Sequence, residues 1–143
     1  MQQTMRMLEP AEVTAMWGTL EPMLAQVEGS NEIVQDEGLS PSEIYNLVMD
    51  GLCALFVYFE DDVPKLVLGL QFNMTGNQKH AEIVAMAGEG LMRFKAAYWD
   101  YFLSWLRANQ IKRLDAHGNP RIAHIYQKKF GFDRSCVLVR QAL

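Results

Sequence analysis

The chain has 143 residues and a mass of 16.3 kDa; 50% of its residues are hydrophobic, 21% are charged, and its net charge is −4. That length reads as one domain, 1–143, with a core large enough to need no disulfide or metal staple, and the composition excludes wholesale disorder. No apolar run reaches the roughly 18 residues of a membrane helix and no secretory pattern opens the chain, so the expectation is a cytoplasmic protein, bacterial or in a virus's host, with no membrane partner.

Thr4–Leu8 predicts a short strand. Glu9-Pro10 opens a helix, since proline fits the first helical position, and Val13, Met16, Trp17 and Leu20 give it one apolar face. Pro22 predicts a break near residue 21 and a second helical piece with Met23, Leu24 and Val27. Residues 30–39 are polar and acidic, a loop by composition. Ser40-Pro41-Ser42-Glu43 is a capping box with proline at the first position, Ile44, Leu47 and Val48 form the buried stripe, and Gly51 suits the left-handed end.

Leu52–Phe59 is continuously apolar, as a strand covered on both faces would be. Lys65–Asn73 alternates, with Leu66, Leu68, Leu70 and Phe72 on one face, and His80–Ala87 follows as a third strand of an antiparallel meander. Gly90 to about Ala108 is a long helix whose stripe of Leu91, Phe94, Tyr98, Phe102 and Trp105 reads as core. Ile111–Ala116 is a short strand, Asn119-Pro120 opens a helix through Lys129, and Arg134–Gln141 closes as a strand. The order β-α-α-β-β-β-α-β-α-β implies an α/β fold with a mixed sheet of six or seven strands, helices on both faces and strand 80–87 central.

Charge is divided along the chain. Residues 1–62 carry twelve acids and one base, a net of −11, whereas residues 63–143 carry twelve bases and five acids, a net of +7. Two such halves either neutralise each other across the fold or meet a cationic substrate and an anionic cofactor. No basic run exceeds two residues, which argues against a nucleic-acid partner. Cys53 and Cys136 sit in apolar strand-like runs and read as buried free thiols. His80, His117 and His124 lack metal-ligand spacing, and no Gly-x-Ser-x-Gly occurs, so neither a metal site nor a serine hydrolase is expected.

The chemistry-bearing stretch is Met86-Ala87-Gly88-Glu89-Gly90-Leu91-Met92, two glycines at a strand-to-helix turn where free N–H groups attract phosphate. With the element order, it resembles the GNAT superfamily of N-acetyltransferases over essentially the whole chain, its short, divergent bacteriophage-type members included. The family's turn reads Arg/Gln-Gly-x-Gly-x-Gly/Ala; Gly88 and Gly90 match it, while Ala87 and Met92 depart from it. Leu66-Val67-Leu68-Gly69 is similar to the family's third strand. The resemblance implies a sheet splayed between strands four and five, with acetyl coenzyme A as co-substrate, its pantetheine in the splay and its pyrophosphate on the turn. The binding set it implies is Val84, Met86, Gly88, Gly90, Leu91 and Asn119.

Asn119 to Phe132 is similar to the family's Asn-x-x-Ala-x-x-x-Tyr-x-x-x-Gly-Phe helix, whose tyrosine protonates the departing thiolate. Anchored on Asn119, Tyr126 holds the acid position; anchored on Gly131-Phe132, Gln127 does. An extra residue absorbed near Lys129-Phe130 keeps Tyr126 in register, with Ile122 and Ile125 packing the helix on the sheet. Glu82, polar in an apolar strand, is the candidate general base. The expected function is acetyl transfer from acetyl coenzyme A to a small amine or peptide amine by direct attack, with a homodimer left open. The alternative is a catalytically inactive GNAT-like binding or assembly module, such as a bacteriophage accessory or virion protein, favoured by Ala87, Glu89 and Met92. A third reading, an inhibitor with an acidic DNA-like surface, rests on the −11 half alone.

Overall fold

A computed structural model describes residues 1–29, 39–116, 120–133 and 141–142, and for 26–29 and 120–122 the backbone alone. Its elements run β1 (Gln3–Met7), α1 (Pro10–Gly29), α2 (Pro41–Met49), β2 (Cys53–Glu60), β3 (Val63–Thr75), β4 (Gln78–Gly88), α3 (Leu91–Ala108), β5 (Ile111–Ala116) and α4 (Pro120–Phe130). Loop residues 30–38, His117, Asn119, Cys136, the Ile122 side chain and nearly all of the expected closing strand lie outside the described residues.

The described sheet has five strands in the order β1-β2-β3-β4-β5, with β3 in the middle and β4, which holds 80–87, an interior strand between β3 and β5. The first four strands pair antiparallel and β4 pairs β5 in parallel, the α3 crossover supplying the connection. One face packs on α3 and α4 through Phe56, Tyr58, Leu66, Leu68, Leu70, Phe94, Trp99, Phe102 and Phe130. The other packs on α1 and α2 through Val13, Leu20, Leu24, Ile44, Val48, Leu55, Val57 and Val67. Strand β2 is therefore apolar from Cys53 to Phe59 because both of its faces are covered.

Helix α1 does not break at Pro22. Pro22 and Gly18, whose carbonyl loses its usual donor, both lie on the solvent side. An unbroken helix keeps Leu20 and Leu24, 0% and 2% accessible, on one buried row. Each such side chain contributes about 1.5–3 kcal/mol, enough together to offset roughly 3 kcal/mol for an interior proline. Helix α2 starts as expected: the Ser40 hydroxyl accepts from Glu43 N–H and the Glu43 carboxylate accepts from Ser40 N–H. It ends in a Schellman motif, with Leu52 N–H donating to Leu47 C=O and Gly51 at φ +76°. The buried row of α3 is Phe94, Trp99, Phe102 and Leu106, displaced from the expected stripe toward Trp99, which stacks on Phe130 at 4.7 Å.

Candidate functional site

Among the described residues, β4 extends beyond its parallel neighbour. Its pairing with β5 ends at Ile83↔Ala116, so Val84 to Gly88 extend past the last β5 partner among the described residues. The register with β3 slips at the same place, from Ile83↔Leu70 to Ala85↔Gly69, leaving Val84 as a β-bulge. The bulge swaps faces: Ala81 and Ile83 point into the α3/α4 layer, whereas Ala85 points into the α1/α2 layer. Gly69 sits opposite, where a Cβ would lie 3.4 Å from both Val84 Cγ2 and Leu55 Cδ2. Glycine in the middle of a strand is the sequence signal for such a feature.

The two glycines after β4 have different causes. At Gly88, φ +122°, a Cβ would stand 2.1 Å from the Lys65 carbonyl oxygen. That carbonyl is thrust forward because Lys65 is itself the extra residue of a bulge in β3, and it accepts the Glu89 N–H at 2.8 Å. Gly88 is thus required by strand β3. At Gly90, φ +79°, a Cβ would meet side-chain atoms alone, Arg93 Nη2 at 2.9 Å and Glu60 Oε2 at 3.6 Å. Gly90 precedes α3 without a capping side chain, and the first intrahelical bond runs from Phe94 N–H to Gly90 C=O. The N–H groups of Leu91, Met92 and Arg93 come before that ladder begins and face the turn as an anion-binding end.

The remaining candidates divide between the two faces. Tyr126 lies on the sheet side of α4, its ring 6.0 Å from Phe130 and 5.1 Å from Phe132, and burial pushes its hydroxyl up to about 12. Ile125 is 37% exposed, so Tyr126 and Phe130, one turn apart, dock the helix in place of the expected Ile125, the Ile122 side chain lying outside the described residues. Helix α4 closes with Phe132 N–H on Tyr126 C=O, a bond one residue wider than a Schellman closure, with Gly131 at φ +74°. The extra residue between tyrosine and Gly-Phe is taken up there. Glu82, half-buried, alternates with Ala81 and Ile83 and so turns to the α1/α2 face, with Gln71 and Asp115 as its register neighbours. Met86 and Leu91 pack on the α3/α4 layer, and Val84 packs on the opposite one. Sequence reasoning missed the pair Glu60–Arg93 beside Gly90; Glu60 reads as the first residue of the turn Glu60-Asp61-Asp62-Val63-Pro64, whereas it is the last residue of β2. Among the described residues no cluster of three or more His, Cys, Asp or Glu could hold a metal, and no helix is long and apolar enough to cross a membrane.

The comparisons with known proteins bear on this geometry. No family model and no curated protein sequence matches the chain. Solved structures do. An acetyltransferase from Clostridium acetobutylicum, crystallised with acetyl-CoA, matches over 99% of this chain and 96% of its own, with TM-score 0.66 at 12% identity. A GCN5-related N-acetyltransferase from Ralstonia eutropha JMP134 matches over 99% of each chain, with TM-score 0.67 at 14% identity. The chain has the GNAT fold. An aminoglycoside acetyltransferase from an uncultured soil metagenomic sample shares that GNAT fold over 100% of this chain and 99% of its own, with TM-score 0.70 at 13% identity.

Proposed function

We propose that this chain moves an acetyl group from acetyl coenzyme A to an amine by direct attack. The observation that supports the reading is the likeness in fold to solved acetyltransferases, together with the Val84 bulge in β4 and the uncapped start of α3. These features fit the coenzyme chemically. The N–H groups of Leu91, Met92 and Arg93 suit a diphosphate, and Met86 and Leu91 on one face of the sheet and Val84 on the other offer apolar contacts to a pantetheine chain. Asn119 belongs to this proposed set by resemblance alone. When bound, acetyl coenzyme A supplies an activated acetyl thioester.

The chain's own residues then have separable tasks. Val84 is the extra residue of the β4 bulge, outside the β3 register, and its backbone N–H is the donor that would polarise the thioester carbonyl. Glu82 faces the α1/α2 layer, the acidic half of the chain, where it accepts a proton from a cationic amine. Tyr126 works from the other side, within the α3/α4 layer, where its hydroxyl donates to a departing sulfur. Acid and base on opposite faces suit direct attack, since nucleophile and leaving group occupy different sides of the reacting carbon.

A thermal-shift titration tests this. Acetyl coenzyme A at 100 times its dissociation constant adds about 2.7 kcal/mol, which raises the midpoint by about 5–10 °C for a chain of this size. The same samples incubated with an amine panel should release free thiol. No shift at millimolar coenzyme overturns the reading, whereas a shift without turnover on any amine transfers the chain to the binding-module alternative that Ala87 and Met92 favour.

A further inference from the structure

Glu60 is a buried carboxylate, 6% accessible, at the end of β2. It accepts the Tyr58 hydroxyl at 2.6 Å and two donors of Arg93, Nε at 2.5 Å and Nη2 at 3.1 Å. The guanidinium holds it well below the usual carboxylate range, with the tyrosine hydroxyl adding to the effect. A bidentate pair fixes the guanidinium plane and uses two of its five N–H groups. Three remain, on a side chain that is 52% exposed. Gly90 leaves room for this guanidinium, since a Cβ there would stand 2.9 Å from Nη2. A cation in the first turn of a helix opposes the helix dipole, so an arginine here requires an anion nearby. Glu60 provides one in the free protein.

The turn shows a matching deficit. Ala87, where the resemblance puts arginine or glutamine, is 4% accessible and paired with Val67 inside the sheet, so no side chain at 87 can reach out to a ligand without rebuilding the strand. Glu89, the acid between the two glycines, is 75% exposed and lies 3.5 Å from Lys65 Nζ. Both acids around the turn are thus matched by bases. The N–H groups and the spare donors of Arg93 are left as the attractive surface.

We propose that Arg93, oriented by Glu60, is the diphosphate-binding cation of this site and takes the place of the basic residue absent at 87. The proposal rests on the coenzyme reading above. Calorimetric titration of coenzyme A, dephospho-coenzyme A and pantetheine tests it in the wild type, Arg93→Gln, Glu60→Gln and the Glu60→Gln/Arg93→Gln double variant. The double variant leaves no unpaired buried carboxylate, and its fold is checked by circular dichroism. Arg93→Gln and the double variant should bind both diphosphate ligands tenfold or more weakly, with pantetheine affinity unchanged. Glu60→Gln, which keeps the cation, should stay within about threefold of wild type. Equal losses in Glu60→Gln and Arg93→Gln would show a mere anchor for α3 and overturn the proposal, as would undiminished coenzyme affinity in the double variant. A wild type that binds neither diphosphate ligand removes the coenzyme reading and the proposal together.

Discussion

Replacing Tyr126 by phenylalanine separates the chemistry of α4 from its packing. The ring contacts with Phe130 and Phe132 survive, so stability should change by no more than about 1 kcal/mol. The effect on turnover follows from the environment of the hydroxyl. Burial pushes it up to about 12, whereas a free thiol titrates near 8.5, so complete proton transfer from Tyr126 to a thiolate is uphill by about 5 kcal/mol. Tyr126 therefore acts by donating a hydrogen bond that strengthens as negative charge builds on sulfur. A charge-assisted bond of that kind is worth about 1.5–3 kcal/mol, or roughly 10- to 100-fold in kcat, the low end of general-acid effects. The assay is kcat at saturating acetyl coenzyme A on any amine the wild type accepts, with coenzyme Kd measured in parallel and unchanged. Because the hydroxyl keeps its proton throughout the working range, wild-type and variant profiles should run parallel up to about pH 10. Wild-type kcat in the variant, or a deficit that disappears above pH 9, would refute the reasoning.

Two further predictions concern stability. Gly88→Ala places a Cβ 2.1 Å from the Lys65 carbonyl and disrupts the Glu89 bond, so urea denaturation should show a loss of about 2–4 kcal/mol, whereas Gly90→Ala, which meets side-chain atoms alone, should lose about 1–2 kcal/mol. Burial pushes the Cys53 thiol from 9.0 up to about 12; the native state thus holds this proton more tightly, and the associated stability, present in full below pH 9, is lost as pH rises toward 12. The whole effect is about 4 kcal/mol, and Cys53→Val should flatten the stability profile between pH 9 and 11.

Much of the architecture is legible because local chemistry and packing agree. The box at Ser40 to Glu43 starts α2 where its residues say it should, and the alternation of Leu66, Leu68 and Leu70 puts the α3/α4 layer on the correct face of β3. The failures arise where a distant contact overrides a local rule. Pro22 signals a break, yet Leu24 belongs to the same buried row as Leu20, and that row outweighs the missing hydrogen bond. The Val84 bulge has no signal in its own strand; its trace is Gly69 on the facing one, a residue that reads as a mere weak point until the pairing is known. The glycine motif shows the same limit within three residues. Gly88 and Gly90 look equivalent as letters, but one accommodates a carbonyl from β3 and the other keeps the start of α3 clear for Arg93. A motif match at Gly88 therefore reports on strand pairing and would persist in a protein that binds nothing. On the proposal above, the functional content of the turn lies in Gly90 and in the ion pair beside it, Arg93 and Glu60, which the motif does not mention and which thirty-three positions of sequence separate.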